Sequence, residues 1–234
     1  MIRERLGKEL LYFDGGMGTL LQAKGLQPGE LPETWNVTHA DEIKNIHKQY
    51  ISAGSDIVLA NTFGANALKF HCDDFPLEEI IRLAIRHVKD AAEEASGGRR
   101  IYTALDVGPT GKLLKPMGDL DFETAYETFK EVMILGEKAG ADLIHIETMS
   151  DTYELKAAVL AAGGEWIEPA ERLRMEQEEA ECLAEEARKE ELKTYCKKKG
   201  LSYEEEEAKY QKKLAEKKAK AEAKAAAKAA KAKK

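Results

Sequence analysis

The chain has 234 residues, of which 43% are hydrophobic, and its formal net charge is −7 at pH 7. This length suits one α/β barrel, or one domain with an appendage. The charge is uneven, because residues 1–164 carry 17 basic and 26 acidic side chains whereas residues 165–234 carry 19 and 17. The acidic first part argues against nucleic-acid binding by that part.

Targeting and redox signals exclude further classes of protein. The sequence has no apolar run of about 18 residues and no signal-peptide pattern at its start, so we expect a cytoplasmic protein without a membrane partner. Cys72, Cys182 and Cys196 are odd in number and never form a C-x-x-C motif. Neither a disulfide framework nor a self-contained zinc knuckle is therefore indicated.

In chain order, apolar runs alternate with helical patterns. The predicted strands cover residues 10–13, 56–60, 101–105 and 143–146, and the predicted helices cover about 39–53, 77–95, 122–138 and 153–162. Residues 26–36 contain Pro28, Gly29 and Pro32 and are predicted to form a loop. Continuously apolar strands followed by helices predict a parallel sheet covered by helices, either an open doubly wound sheet or a barrel.

Polar loops follow all four predicted strands. They cover residues 14–19, 61–66, 106–111 and 147–151. Ligands of parallel α/β sheets bind at the carboxyl ends of the strands, so we expect these loops to line one rim. The period of two along a strand directs Asp14 and Glu147 toward a single pocket.

Each motif alone has a less specific interpretation. The glycine loop at residues 14–19 lacks the Gly-Lys-Ser/Thr of a phosphate-binding loop and the third glycine of a dinucleotide fingerprint, and like residues 108–111 it is compatible with an ordinary turn. Glu147 is harder to dismiss, because a carboxylate at the end of a buried strand needs a partner or a ligand. We interpret His145 as an interior residue, and His71 with Cys72 as solvated rather than metal-binding.

Taken together, the motifs resemble a known family. Their order and spacing are similar to those of the homocysteine-binding domain of cobalamin-dependent methionine synthase, a homocysteine S-methyltransferase, over about residues 8–162. The motifs that carry the resemblance are Asp14–Thr19, Trp35–Asn36, Asn61–Asn66, Asp106–Gly111 and Glu147–Asp151. The resemblance implies an α/β fold of the (β/α)8 TIM-barrel type, with about four of its eight units present. It also implies that the domain binds homocysteine for methyl transfer to its sulfur, forming methionine.

The resemblance also implies roles for individual residues. Asp14 and Glu147 are expected to hold the ammonium group of homocysteine, which is consistent with the strong attraction between an amine and carboxylates in a partly dry site. The other substrate-binding residues that it implies are Gly15, Gly16, Asn61, Thr62, Phe63 and Asp106. No catalytic residue and no metal ligand is assigned.

The metal chemistry of the family does not match this chain. The resemblance implies a zinc ion held by three cysteines, two of them adjacent, which lowers the thiol pKa of the substrate. The sequence contains no Cys-Cys pair. Cys182 and Cys196 lie in a charged helical pattern and are not assigned as ligands. We expect a homocysteine-binding methyltransferase domain that is inactive as this chain alone, with the cobalamin and folate modules absent. The alternative is a catalytically inactive fragment that lacks the zinc cysteines and whose basic tail serves as a nonspecific interaction segment.

The sequence predicts two domains, a truncated homocysteine-binding barrel at residues 1–162 and a charged low-complexity tail at residues 163–234. The tail is predicted to be helical or disordered, with a coiled-coil partner helix as an alternative. From residue 208 onward 11 lysines face 2 glutamates, which favours at most weak, nonspecific nucleic-acid contact. Four strands cannot close a barrel, so we expect self-association, a companion chain that completes the barrel, or poor folding.

Overall fold

The computed structural model describes residues 2–164, 166, 169–213 and 215–216; in the first turns of the long C-terminal helix it describes only some side chains. The chain divides into two compact units, Met1–Trp166 and Ile167–Lys234. The first unit is α/β and contains all the predicted site residues.

The first unit alternates helices with short strands. Its helices are α1 (Ile2–Arg5), α2 (Met17–Ala23), α3 (Trp35–Thr38), α4 (Ala40–Ala53), α5 (Leu77–Ala95), α6 (Phe122–Ala139) and α7 (Thr152–Ala161), with a 3-10 turn at Pro32–Thr34. Its strands are β1 (Ile57–Leu59), β2 (Tyr102–Val107) and β3 (Leu143–Ile146). The order of strands and helices therefore confirms the predicted α/β class.

Within the described residues, the three strands form one parallel sheet in the order β1, β2, β3. Ile57 is paired with Tyr102 across β1 and β2, and Val107 is paired with Ile146 across β2 and β3. All six positions of β2 are buried, as expected for the central strand of a sheet that helices cover. Parallel register brings the carboxyl ends of all three strands to one edge.

The prediction of a first strand at residues 10–13 is wrong. Residues 10–13 form only an isolated parallel bridge between Phe13 and Ile57, so this segment is not a regular strand. Leu10 is 79% exposed and Tyr12 is 59% exposed, although both were expected in a buried run. Among the described residues, the backbone of this segment pairs on one side only, with the chain around Ile57. An edge segment without a second neighbour has few hydrogen bonds that would keep it a regular strand.

The helices agree more closely with the sequence. Helix α5 has the predicted bounds, α4 and α6 differ from prediction by about one residue at one end, and α7 differs by about one residue at both ends. Gly54 and Gly140 end α4 and α6 in the left-handed conformation, which a glycine adopts without steric cost. The predicted loop at residues 26–36 is wrong in its second half, because Pro32 begins the 3-10 turn and Trp35 begins α3.

Two apolar clusters fix the edge where the strands end. The larger cluster packs α4 to α7 on the sheet and includes Leu105 and Phe129, both fully buried. A smaller cluster joins Leu21 of α2 to Trp35 of α3 and Ile43 of α4. This second cluster anchors α2, which begins at Met17 within the predicted loop at residues 14–19, and so it holds Gly15 and Gly16 beside β1.

The second unit is mostly helical where it is described. Helix α8 spans Pro169–Lys199, and residues 203–213 are also helical. Arg188 pairs with Glu207 at 2.8 Å and stacks on the Tyr210 ring at 3.9 Å. Cys196 is buried, the side chain of Cys182 lies outside the described residues, and so does the lysine-rich end from residue 217. No helix in the described part of the chain is both long and apolar enough to span a membrane.

Candidate functional site

A cavity of about 450 Å³ opens at the carboxyl ends of the strands. It is lined by Asp14, Gly15, Gly16, Met17, Gly18, Pro32, Glu33, Leu59, Ala60, Asn61, Phe63, Asp106 and Glu147. Seven of the eight predicted substrate-binding residues are in this set. Thr62 is the exception.

Asp14 lies where the edge segment turns into the glycine loop. Its Oδ2 accepts a hydrogen bond from the backbone N–H of Leu59 at 3.1 Å, which ties the carboxylate to the end of β1. Its Oδ1 is buried, and no group among the described residues hydrogen-bonds to it. Burial raises the pKa of Asp14 to about 7, and the nearby charge of Glu147 adds to this effect. The free oxygen is available to a ligand.

Asp106 lies near the end of β2 and is only 7% exposed. Its Oδ1 is also buried without a hydrogen-bond partner among the described residues. Burial raises the pKa of Asp106, and the neighbouring Glu147 carboxylate raises it further because two like charges cannot both ionise cheaply at close range. A cationic group that entered the cavity would relieve this repulsion.

Thr62 does not line the cavity but hydrogen-bonds to the backbone of a residue that does. Its Oγ1 donates to the Asp106 carbonyl oxygen at 2.8 Å and accepts from the Asp106 N–H at 3.1 Å. The hydroxyl therefore links the loop after β1 to strand β2 by hydrogen bonds and fixes the backbone that carries Asp106. Thr62 is 1% exposed, so it has no surface for a ligand.

Asn61 and Phe63 form part of the cavity wall. The Asn61 Nδ2 donates to the Pro32 carbonyl at 2.8 Å and to Asn36 Oδ1 at 3.2 Å, so the polar end of Asn61 is engaged in a buried network. The Phe63 ring lies against Gly108, where a Cβ atom would come within 2.5 Å of it. Only glycine leaves room for this ring.

The glycine loop also owes its shape to close packing. A Cβ atom at Gly15 would lie 2.9 Å from the Tyr50 hydroxyl oxygen, and that hydroxyl donates to the Gly16 carbonyl at 3.4 Å. Tyr50 belongs to α4, so a helix more than 20 residues further along the chain supports the loop in space. Gly15 and Gly16 let the backbone line the cavity without side chains.

Sequence reasoning missed Glu33. This residue lies in the 3-10 turn, is 3% exposed, and lines the cavity; burial raises the pKa of its carboxyl group. A single acidic residue in a proline-bounded loop gives no periodic signal. The one local signal of regular structure in this segment is Pro32, because proline is favoured at the first position of a helix.

The charged side chains that line the cavity are all acidic. Four carboxylate side chains line it, and the described lining residues include no lysine, arginine or histidine. Asp14, Glu33, Asp106 and Glu147 would together repel an anion and attract a cation. The arrangement suits a primary ammonium group, which can donate three hydrogen bonds.

The described residues do not fit the zinc site that the resemblance implied. No group of three or more His, Cys, Asp or Glu side chains in the described part of the chain is placed to hold a metal ion. Cys72 is partly buried in the first unit, and Cys196 is buried in the second.

Residues 11–175 match the family described as Homocysteine S-methyltransferase. Methionine synthase of Mycobacterium tuberculosis is 32% identical over 170 residues, which are 67% of this chain and 14% of that protein. Methionine synthase of Mycobacterium leprae is 30% identical over 172 residues, which are 68% and 14%. The chain thus spans about one seventh of the length of these relatives.

Solved structures of the homocysteine methyltransferase MmuM from Escherichia coli share the fold. The oxidized form has a TM-score of 0.59 at 21% identity, and the match covers 69% of this chain and 62% of that one. The metallated form has a TM-score of 0.59 at 20% identity, with 69% and 63% covered. At such identity the likeness concerns the fold.

Proposed function

Since this chain belongs to the homocysteine S-methyltransferase family, we propose that its cavity binds homocysteine for methyl transfer to the sulfur, which forms methionine. The observation that carries the proposal is the buried, unpartnered Oδ1 of Asp14 in a cavity lined by four carboxylates. In this proposal Asp14 and Glu147 hold the substrate ammonium group. Two charge-assisted hydrogen bonds in a partly dry site would orient the amino-acid end.

The remaining site residues shape the cavity around that ammonium group. Gly15 and Gly16 present backbone, and Asn61 and Phe63 form wall. Asp106 supplies a third carboxylate beside Glu147, and Thr62 holds its backbone in place. Methyl transfer itself would form a sulfur–carbon bond, break the bond between the methyl group and its donor, and release the thiol proton.

The fold supports a more specific architecture. We propose that residues 1–162 are the first half of a (β/α)8 barrel and that residues 163–234 are an added charged segment. The support is the parallel order β1, β2, β3 with a bridged edge segment before β1, together with the likeness to MmuM. A second copy or a companion chain would supply the other strands.

A second candidate function is binding without turnover. The sequence has no Cys-Cys pair, and the described side chains form no three-residue metal group. In this case the chain recognises homocysteine, and another polypeptide supplies the groups that activate the thiol. Zinc stoichiometry and methionine formation, measured on the purified chain, separate the two candidates.

Calorimetric titration with homocysteine tests the binding site. Asp14→Asn and Glu147→Gln each remove one charged partner of the ammonium group and should weaken binding by about 2 kcal/mol, or roughly thirtyfold. Asp41→Asn is the matched control, because the Asp41 side chain is 99% exposed and belongs to α4 outside the cavity. Absence of binding to the unmodified chain, or equal affinity in all variants, would contradict the proposal.

A further inference from the structure

Two buried glutamates hold backbone amides of the loops that follow β1 and β2. Glu33 Oε1 accepts from the Gly64 N–H at 2.6 Å. Glu154, in α7, accepts through Oε1 from the Thr110 N–H at 2.8 Å and from the Thr110 hydroxyl at 2.6 Å. Glu33 is 3% exposed and Glu154 is 2% exposed. Burying a carboxylate is costly, so these two contacts require an explanation beyond ordinary packing.

The two loops also contact each other between these glutamates. The Gly108 N–H donates to the Phe63 carbonyl at 3.1 Å. The Phe63 ring packs against the backbone of Gly108 so closely that a Cβ atom there would lie 2.5 Å away. Phe63 and Gly64 are neighbours in the sequence, and Pro109 joins Gly108 to Thr110. A series of hydrogen bonds and covalent links therefore runs from Glu33 to Glu154. We call this series the rim chain.

The rim chain borders the cavity but does not coincide with it. Phe63 and Glu33 line the cavity, whereas Glu154, Thr110 and Gly108 do not. A contact at Glu154 can therefore affect a ligand only through the loops. For Glu154 this separation distinguishes a positioning role from direct contact with the ligand, whereas Glu33 both lines the cavity and holds the Gly64 amide.

We propose that Glu154 and Glu33 are positioning residues, which hold the two loops at the separation that the cavity requires. The ligand in this inference rests on the proposed function, whereas the mechanical connection does not. The carboxylates act as fixed acceptors: each one holds a loop amide and so sets where the Phe63 ring lies. Loss of either acceptor releases one end of the rim chain.

The test compares Glu154→Ala, Glu154→Gln and Asp142→Ala by titration with homocysteine. Glu154→Ala removes the acceptor and should weaken binding at least tenfold. Glu154→Gln keeps an acceptor oxygen and should bind within threefold of the unmodified chain. Asp142 is the matched control, because its Oδ2 accepts from the Thr103 N–H at 2.9 Å at the opposite end of the sheet. Asp142→Ala should also bind within threefold.

Amide hydrogen exchange of the ligand-free chain, monitored by NMR, tests the rim chain without any ligand, because it measures how often each loop amide loses its hydrogen bond. Glu154→Ala should speed exchange at the Gly108 and Gly64 amides at least tenfold, whereas Glu154→Gln and Asp142→Ala should leave both rates within threefold. Unchanged exchange at Gly64 in Glu154→Ala would overturn the inference. If the unmodified chain does not bind homocysteine, the proposed function fails and exchange alone decides the positioning role.

A milder variant keeps the test decisive if Glu154→Ala does not fold. Thr110→Val removes only the hydroxyl that donates to Glu154 and keeps the side-chain shape. It should weaken binding about threefold to tenfold and speed exchange at Gly108. Wild-type affinity and wild-type exchange rates in Thr110→Val would then overturn the inference.

Discussion

At the scale of single residues, burial decides how the carboxylates of the cavity behave. Asp14 has one oxygen bonded to the Leu59 amide and one with no hydrogen-bond partner among the described residues. Desolvation penalises the ionised form, so the pKa of this group rises to about 7. A ligand ammonium group would stabilise the ionised carboxylate of Asp14 in place of the water that burial excludes. The same reasoning applies to Asp106, whose pKa is raised by burial and by Glu147.

Homocysteine affinity should therefore rise between pH 5.5 and 7.5, because the ammonium group binds the ionised form of Asp14. Calorimetric titration across this range measures the rise, and Asp14→Asn should reduce the pH dependence. The free energy of unfolding should change in the opposite direction, falling as the pH rises.

A folded-state pKa of about 7 for Asp14, against an ordinary value of 3.8, means that the folded chain holds the proton more tightly than the unfolded chain. The stabilisation is complete below about pH 4 and is lost as the pH rises through about 7.

The stability half of this prediction is checked by urea unfolding at several pH values. Asp14→Asn is the control, because an amide cannot titrate and should make the unfolding free energy less dependent on pH between 4 and 7. The pKa of Asp106 is also raised by burial, so part of the pH dependence should survive in that variant. An affinity that falls as the pH rises from 5.5 would contradict the assignment of Asp14.

At the scale of elements, a glycine lets a helix approach the central strand of the sheet closely. Gly136 lies inside α6 and faces Leu105 of β2, and a Cβ atom there would come within 2.5 Å of the Leu105 side chain. Leu105 is fully buried and has little room to move. Asp106, the next residue, points a carboxylate into the cavity. The glycine thus lets α6 pack closely on the strand that carries a site residue.

Gly136→Ala should lower the free energy of unfolding by about 1–3 kcal/mol, because overpacking against Leu105 outweighs the helix preference of alanine. Gly18→Ala is the matched control: Gly18 is also inside a helix, α2, but a Cβ atom there meets no atom within 4 Å. Its unfolding free energy should stay unchanged or rise by up to about 1 kcal/mol. Urea unfolding of both variants decides, and equal effects would show that close packing at Gly136 is unimportant.

At the scale of the whole molecule, the sheet edge before β1 is an exposed apolar feature of the first unit. Leu10 is 79% exposed, Tyr12 is 59% exposed and Phe13 is 44% exposed, in a segment that is bridged on one side only. Such an edge presents unpaired backbone groups beside apolar side chains, and it is a template for pairing with another chain. The proposed second half of a barrel would cover it.

The chain should therefore self-associate with increasing concentration, as measured by sedimentation velocity. Leu10→Lys places a charge on the exposed edge and should weaken association at least tenfold. Met117→Lys is the matched control, because Met117 is 81% exposed on the loop between β2 and α6, away from this edge. A chain that stays monomeric at all concentrations, or two variants with the same effect, would rule out this edge as the association surface.

The sequence by itself determined the α/β class, the main helices and most of the cavity lining. Helices α4 to α7 follow from local signals, namely apolar residues at helical spacing and glycines such as Gly54 and Gly140 at their ends. The polar loops follow the strands in sequence, and parallel strands necessarily bring those loops to one edge. For this reason seven predicted substrate-binding residues meet in one cavity.

Only the tertiary structure decided which groups support the site from outside it. Thr62 was predicted to line the cavity, yet its hydroxyl binds the Asp106 backbone across 44 residues of sequence. Glu33 reaches Gly64, and Glu154 reaches Thr110, over similarly long separations. The single bridge at Phe13 likewise depends on what lies on either side of the segment. Local patterns record periodicity and turn chemistry, whereas these contacts form only when distant segments pack together.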